Sequence, residues 1–482
     1  MERRTFLKAS AGVMGAFSLG VSPEEIFASH CCGGHGPFEL SLAQWSLNKR
    51  LFGTKGDKLD NLDFAATAKS LGIHAVEYVN QFFFDKATDK KYLTEMKNRA
   101  ADNGVANVLI MCDGEGNLGD PDKGKRMKAV ENHYKWLEAA KYLGCHSIRV
   151  NAHSEGSYDE QQKLAADGLY RLADYAKKYD LNVIVENHGG LSSNGKWLVG
   201  AIKKVNLPNC GTLPDFGNFN EYDRYLGIEE MMPFAKGVSA KSGRFDENGD
   251  EANTDFYRMM RIVRDSGYKG YVGIESSGGQ FTEMEAIVKT KKLLEKIFAQ
   301  QAKVITIFND KNLDGWTKIE GGDWSVEDGV LVGRNGKNWT TNPEKTGSWL
   351  RTHKQYGDFR LELQFTVDSR SNSGIFFRSA TEKNPAFTGY EMQIFDAHGR
   401  EPSKSGPGAL YDIIAPTQNP IRQAGEWNSV TLTANGKLIT VEMNGEMIVN
   451  TEQSRSMKGY IGLQNHDERS VVKYKNIRIE EL

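Results

Sequence analysis

From Phe38 to about Gln300, short β-rich apolar runs alternate with helical stretches, each separated by turn residues. The predicted strands are Glu39–Trp45, His74–Val79, Ala106–Met111, Ser147–Asn151, Asn182–Asn187, Gly211–Asp215, Gly237–Lys241 and Tyr271–Glu275. Amphipathic runs such as Leu62–Leu71, Lys128–Leu143, Gln161–Tyr179 and Thr254–Ser266 lie between them. Eight strand–helix units in about 260 residues predict a (β/α)8 TIM barrel. An open doubly wound sheet is the competing arrangement, but no Gly-rich phosphate loop follows the first strand.

Near Lys303 helical periodicity stops and short alternating runs begin, among them Asp358–Val367, Gly374–Ser379, Tyr390–Phe395, Trp427–Ala434, Tyr460–Gln464 and Val471–Glu480. Asp328-Gly329, Asn435-Gly436 and Asn444-Gly445 stand between such runs, and Asn-Gly is a strong hairpin signal. Ten or more strands in about 180 residues predict a β-sandwich or jelly roll. The helical run Thr282–Gln300 leads straight into it, so the linker is short. The expected organisation is a leader over 1–36, a barrel over 37–300 and a β jelly roll over 301–482: a multi-domain chain, α/β followed by all-β.

The leader carries Arg3-Arg4 before Phe6-Leu7-Lys8, then a mild apolar run from Ala9 to Val21. It resembles a bacterial twin-arginine signal, so export, for example to the periplasm, is expected. The run is too short and too glycine-rich for a membrane span, which takes about 20 residues. His30-Cys31-Cys32-Gly33-Gly34-His35 follows in a glycine-rich stretch and reads as disordered rather than as a metal tag.

The chain has 482 residues and a net charge of −2, which gives no electrostatic argument for nucleic acid or an anionic membrane. Its five cysteines form no CxxC and no disulfide framework. Cys112, Cys145 and Cys210 lie in or beside apolar runs and are expected to be buried thiols.

In barrels of this kind the chemistry sits at the carboxyl ends of the strands. There the second strand offers Glu77, the fourth Arg149, Asn151 and His153, and the fifth Glu186, Asn187 and His188. The sixth offers Asp215 and Asn218, the seventh Ser239 and Lys241, and the eighth Glu275. Apolar strands that end in carboxylates three times over are not what packing requires. Glu186, Asp215 and Glu275 are expected to bind a hard divalent cation such as manganese or magnesium. Such a cation stabilises the enediolate formed when a proton leaves the carbon beside a carbonyl. Glu186 and Glu275 are the expected base and acid, with His188 and Lys241 as donor and cation. Glu77, Asn151 and His153 are expected to bind substrate.

These residues resemble the xylose isomerase-like barrel family of sugar isomerases and epimerases, over roughly Phe38 to Gln300. The motifs are Val185-Glu186-Asn187-His188, Asp215 after strand six and Gly273-Ile274-Glu275. The resemblance implies a divalent metal held by Glu, Asp, His and Glu. Three of those four match, but the family's His-x-Lys reads here Ser239-Ala240-Lys241, which removes one ligand.

The second half is similar to the 3-keto-disaccharide hydrolase family, a concanavalin-like lectin/glucanase jelly roll. The motifs are Asp314-Gly315-Trp316, Asn372-Ser373-Gly374 through Arg378, Gly389-Tyr390-Glu391-Met392-Gln393, Gly408 through Tyr411-Asp412, and Ile461 through Gln464-Asn465-His466. The resemblance implies cleavage of glycosides oxidised at C3. Residues two apart on a strand share a face, so Glu391 and Gln393 project together and Gln464 pairs with His466. Glu391 and His466 are the expected catalytic residues of this half. Arg378, Gln393, Asp396, Tyr411 and Gln464 are expected to bind a small carbohydrate.

A C3 ketone acidifies the C2 proton, which opens a β-elimination route to cleavage. The expected function is therefore an exported, carbohydrate-active enzyme on keto-sugars or 3-keto-glycosides. The alternative is a degenerate barrel scaffold with a non-catalytic carbohydrate-binding module. The sugar, the aglycone, the linkage and the oligomeric state stay open at this point.

Overall fold

The computed structural model describes residues 38–482 apart from 278, 338, 340 and 341. The twin-arginine-type leader and its His/Cys stretch lie outside the described residues.

The first eight strands are β1 (Glu39–Ala43), β2 (Ala75–Val79), β3 (Ala106–Met111), β4 (Ser147–Val150), β5 (Asn182–Glu186), β6 (Cys210–Leu213), β7 (Val238–Ser242) and β8 (Tyr271–Ser276). They form one parallel sheet in the order β6-β5-β4-β3-β2-β1-β8-β7. Parallel bridges Thr212↔Ala235 and Asp215↔Ser239 join its two edges and close the ring. Helices follow the strands, with local stop and start signals. Ser157 and Glu160 form a capping box at the head of Tyr158–Ala176, and Gly144 ends Lys123–Leu143 at φ +86°, where a side chain would be strained. The barrel interior is filled by Ala43, Val79, Leu109, Met111, Ile184 and Leu213. The larger core lies between strands and helices. Cys112, Cys145 and Cys210 are free and buried.

The remaining strands are β9 (Ile305–Thr306), β10 (Trp316–Ile319), β11 (Asp323–Glu327), β12 (Val330–Arg334), β13 (Trp349–Tyr356), β14 (Phe359–Val367) and β15 (Asn372–Ser379), followed by β16 (Tyr390–Phe395), β17 (Asn428–Asn435), β18 (Leu438–Met443), β19 (Glu446–Glu452), β20 (Gly459–Gln464) and β21 (Val472–Glu481). They make two antiparallel sheets, β10-β13-β20-β15-β16 and β11-β12-β21-β14-β17-β18-β19, with β9 against β21. Strict alternation builds the core between them. Met392 and Ile394 of β16 meet Ile375 and Phe377 of β15, Leu463 of β20 and Leu432 of β17.

The outer face of the larger sheet docks on the barrel. The helix Phe256–Asp265 presents Arg258, Arg261 and Arg264, three residues apart and so on one face. Arg258 donates to the Asn444 carbonyl at 2.7 Å, and Arg261 to Glu442 at 2.7 Å. Arg264 pairs with Glu362, and Arg478 with Asp265. Arg422 and Glu229 add a contact at 3.2 Å. The outer face of the five-stranded sheet therefore points away from the barrel, on the far side of the sandwich.

Candidate active sites

The barrel strands send every second residue inward. The inward series ends at the mouth in Arg149 on β4, Glu186 on β5, Asp215 just beyond β6, Lys241 on β7 and Glu275 on β8. One ligand oxygen from each of Glu186, Asp215 and Glu275 lies within 4.8 Å of the others, and all three are buried. Metal–oxygen bonds of about 2.0–2.6 Å allow two ligands of one ion to stand up to about 5 Å apart, so this all-oxygen set fits a hard divalent cation. The position of the missing histidine is taken by the Ser239 hydroxyl, which donates to Asp215 Oδ2 at 2.7 Å. Asp215 Oδ1 also accepts from the amides of Gly217 at 2.8 Å and Asn218 at 2.9 Å.

Two cations, Arg149 buried and Lys241 partly buried, balance the carboxylates. Arg149 bridges Glu186 and Asp113, the latter at 2.9 Å, and Lys241 Nζ donates to Glu275 at 2.7 Å. Asn218 Nδ2 donates to the other Glu186 oxygen at 2.7 Å. Burial pushes Glu186 up to about 8, against the pull of Arg149, and Asp215 up to about 6, against the pull of Lys241. Burial opposes the charge on Lys241, but Asp215 and Glu275 outweigh it and hold the ammonium above its ordinary range.

His188 Nδ1 lies 3.1 Å from Asn151 Oδ1, and the Asn151 amide donates to Asp113 at 2.6 Å. That second bond fixes the amide, so Nδ1 carries the hydrogen and Nε2 is left as an acceptor. Burial, helped by Arg149, lowers His188 to about 4 and keeps the imidazole neutral at pH 7.

Two expected substrate contacts sit elsewhere. β2 runs on to Val79, so Glu77 is mid-strand and points into the barrel beneath the mouth, not at its rim. It accepts from Ser41 at 2.6 Å, its Oε2 has no protein partner, and burial pushes it up to about 7. Gly273 makes room for it, since a Cβ there would stand 2.5 Å from Glu77 Oε1. His153 has an exposed side chain, and only its carbonyl is engaged, by Gly119 N at 3.0 Å. Asp113, which ties Arg149 to Asn151, was not among the expected residues. Its signal was the same as for the others, a carboxylate just beyond the apolar run Val108–Cys112.

The second site is a cleft of about 470 Å³ on the outer face of the five-stranded sheet. Glu391, Gln393, Tyr411, Gln464, His466 and Trp339 line it. Glu391 is 3% exposed and accepts from Gln464 Nε2 at 3.0 Å. The Gln393 amide, oriented to suit its neighbours, donates to Glu391 at 3.2 Å and to the Ser373 carbonyl at 3.1 Å. Burial pushes Glu391 up to about 8, so it is a neutral acid at pH 7. Gly374 on β15 leaves space for it, since a Cβ there would lie 2.1 Å from its Oε1. Trp339 was missed by sequence reasoning. Its indole NH donates to the carbonyls of Ser348 at 2.8 Å and Asn465 at 2.7 Å, and its ring stacks on Phe376.

Arg378 and Asp396 do not belong to this cleft. Arg378 takes φ +50° where the β15–β20 register shifts, which swings it off the face it would share with Phe376. Its guanidinium, fully buried, donates to the carbonyls of Gly357 and Gly436 and to Asp358, each at 2.8 Å, so it ties hairpin ends together. Asp396 lies beyond the end of β16 and accepts from the Arg370 amide at 2.7 Å. Among the described residues lining the cleft, Glu391 is the one carboxyl group.

Comparison with known proteins divides the chain in the same two parts. Residues 65–297 match the family model of the xylose isomerase-like TIM barrel, and residues 303–480 that of the 3-keto-alpha-glucoside-1,2-lyase-like domain. A curated relative, the 3-keto-disaccharide hydrolase of Bacteroides thetaiotaomicron, is 24% identical over 230 residues, 37% of this chain and 78% of that protein. Among solved structures, the 3-keto-D-glucoside 4-epimerase of E. coli is 17% identical over 54% of this chain and 99% of its own, with a TM-score of 0.44. A xylose isomerase-like TIM barrel protein of Mycobacterium smegmatis, solved with magnesium, is 14% identical over 55% of this chain and 97% of its own, with a TM-score of 0.43. The chain therefore joins two family domains in tandem, a xylose isomerase-like TIM barrel over residues 65–297 and a 3-keto-alpha-glucoside-1,2-lyase-like domain over residues 303–480.

Proposed function

We propose that this chain is an exported, carbohydrate-active enzyme whose second domain cleaves glycosides oxidised at C3. The observation that carries the reading is Glu391, the one carboxyl group among the described residues lining the cleft of about 470 Å³, where its burial pushes it up to about 8. Ordinary glycosidases flank the scissile bond with two carboxyl groups, about 5–5.5 Å apart when retaining and about 6.5–9.5 Å when inverting. One acid, an imidazole and two carboxamides suit a different route. The family description and the name of the curated relative support the same substrate class.

The route is a β-elimination. His466 takes the proton from C2, and the electron pair of that C–H bond moves into the enolate of the C3 ketone. Glu391 donates its hydrogen bond to the developing C3 oxyanion. The ketone then re-forms, a C1–C2 double bond forms, and the C1–O bond breaks with its electron pair on the aglycone oxygen. That oxygen takes up the proton. Water added across the new double bond completes a hydrolysis. Gln464 donates one of its two amide hydrogens to Glu391 and so helps to hold the acid in place. Gln393 and Tyr411 line the same cleft.

For the barrel we propose isomerase-, epimerase- or lyase-type proton transfer on a related keto-sugar. Glu186, Asp215 and Glu275 would hold the divalent cation. When bound, it supplies Lewis-acid polarisation of a carbonyl and its neighbouring hydroxyl. Lys241 is positioned to balance oxyanion charge, and His188 Nε2 to accept a proton. The alternative, a barrel serving as scaffold with a carbohydrate-binding module beside it, is favoured by one observation. Ser239, Arg149, Asn218 and Lys241 already satisfy the carboxylates from within the protein.

The test is to incubate the full chain with a 3-keto-glucoside and follow aglycone release, with and without chelator. Release by the wild type and its loss in Glu391→Gln support the reading. No release from any 3-keto-glycoside leaves the binding-module alternative.

A further inference from the structure

The turn that follows β20 holds a carboxylate against the imidazole of the cleft. His466 Nδ1 lies 2.7 Å from Asp467 Oδ2. Asp467 is itself immobilised. Its Oδ1 accepts from the amides of Arg469 at 2.8 Å and Ser470 at 3.0 Å, and its Oδ2 from the Ser470 hydroxyl at 3.2 Å. Burial works against its charge, but His466 and the Arg469 amide outweigh burial and hold the carboxyl below its ordinary range. An ionised carboxylate can only accept, so the hydrogen between the pair belongs to Nδ1. The imidazole plane is held from a second side. The Trp339 ring lies parallel to it, at 4° and 6.1 Å between centroids, and is pinned by its indole hydrogen bonds to Ser348 and Asn465.

We infer that Asp467 is a positioning residue, which fixes the His466 tautomer and presents the unprotonated Nε2 to the cleft as the base that removes the C2 proton. The contact is part exposed, with side-chain exposures of 33% for His466 and 44% for Asp467, so its worth as a stabilising ion pair is small. What it supplies is orientation. A carboxylate that selects the tautomer of a catalytic histidine contributes to rate far more than to stability. The inference rests on the proposed elimination in this cleft and adds to it the residue that makes His466 competent.

The experiment measures aglycone release and solvent-deuterium exchange at C2 of a 3-keto-glucoside, using full-chain His466→Ala, Asp467→Asn, Asp467→Glu and the His466→Ala/Asp467→Asn double variant. Asp467→Asn is expected to lower kcat and C2 exchange together by about 10²–10³-fold, with KM within about twofold and the melting temperature nearly unchanged. Asp467→Glu restores part of the rate, because the carboxylate is kept. The double variant is expected to be no slower than His466→Ala, since two residues acting as one unit are not additive. If His466→Ala abolishes exchange while Asp467→Asn keeps it, or if the two losses multiply, Asp467 does not position the base. If His466→Ala itself retains exchange, the assignment of His466 as base in the elimination fails first. Should Asp467→Asn not fold, Asp467→Glu with Asp467→Ser carries the same comparison.

Discussion

Gln464 donates one of its two amide hydrogens to Glu391 at 3.0 Å and leaves its own oxygen buried without a protein partner. One side chain thus contributes to holding the acid and keeps a free acceptor beside it.

Replacing Glu391 by Gln is expected to lower aglycone release from a 3-keto-glucoside by about 10²–10⁴-fold. The amide keeps the shape of the side chain, so the fold survives. The measurement is kcat/KM together with the thermal midpoint. Unchanged activity would show that Glu391 is only a buried acid.

Glu391 also predicts a pH dependence. Its folded-state value, about 8, lies above the ordinary 4.5, so the folded protein holds this proton more tightly than the unfolded chain. Its stabilising contribution is full below about pH 4.5 and is lost as pH rises through about 8. Glu391→Gln removes the titration and should flatten thermal midpoints over that window. Activity that needs the protonated acid should fall on the alkaline side of about 8. Parallel melting curves for both proteins from pH 4.5 to 9 would contradict this.

Gly374→Ala tests the same site from the opposite strand. The new Cβ would stand 2.1 Å from Glu391 Oε1, so the carboxyl group must move. The expected outcome is loss of cleavage comparable to Glu391→Gln, with modest destabilisation. Wild-type kinetics in this variant would show that the position of Glu391 does not matter.

For the barrel, metal content after purification is the direct measurement. Glu186→Gln and Asp215→Asn are expected to lose a bound divalent cation, and Ser239→His to hold it more tightly by adding a fourth ligand. Chelation is expected to leave cleavage in the sheet cleft intact, because the convergent acidic cluster found among the described residues lies in the barrel. Chelator-sensitive cleavage would place the metal requirement in the other domain.

Arg264→Ala probes the docking of the two domains. Arg264 is held to Glu362, and Glu362 is 6% exposed. Removing one partner of such a charged contact costs about 1–3 kcal/mol, cushioned here because Arg360 stays 3.3 Å from Glu362. The expected readouts are a lower melting temperature and faster proteolysis near residues 302–304. Export is checked separately: Arg3-Arg4 to Lys-Lys is expected to retain the protein in the cytoplasm.

The order of elements and the carboxylates of the barrel are legible in the linear chain. A barrel strand is buried on both sides, so a Glu or Asp at its carboxyl end stands out against the apolar run, as with Glu186, Asp215 and Glu275. Period-two alternation likewise put Glu391 and Gln393 on one face and Met392 and Ile394 on the other. The same rules misassigned residues where the backbone departs from the period. Arg378 left its face because of one positive φ and a register shift, Asp396 lay past the strand end, and Glu77, which keeps the period, stands two residues short of the end of β2 and so lies beneath the mouth. Which groups meet is set by packing between distant segments. The Arg149–Asp113–Asn151–His188 connection draws on three separate chain segments. The docking of three arginines of one helix on the larger sheet, which turns the cleft away from the barrel, joins residues 98 to 186 positions apart. Local pattern reports which way a side chain points from its own strand; what stands opposite depends on long-range packing that no local pattern encodes.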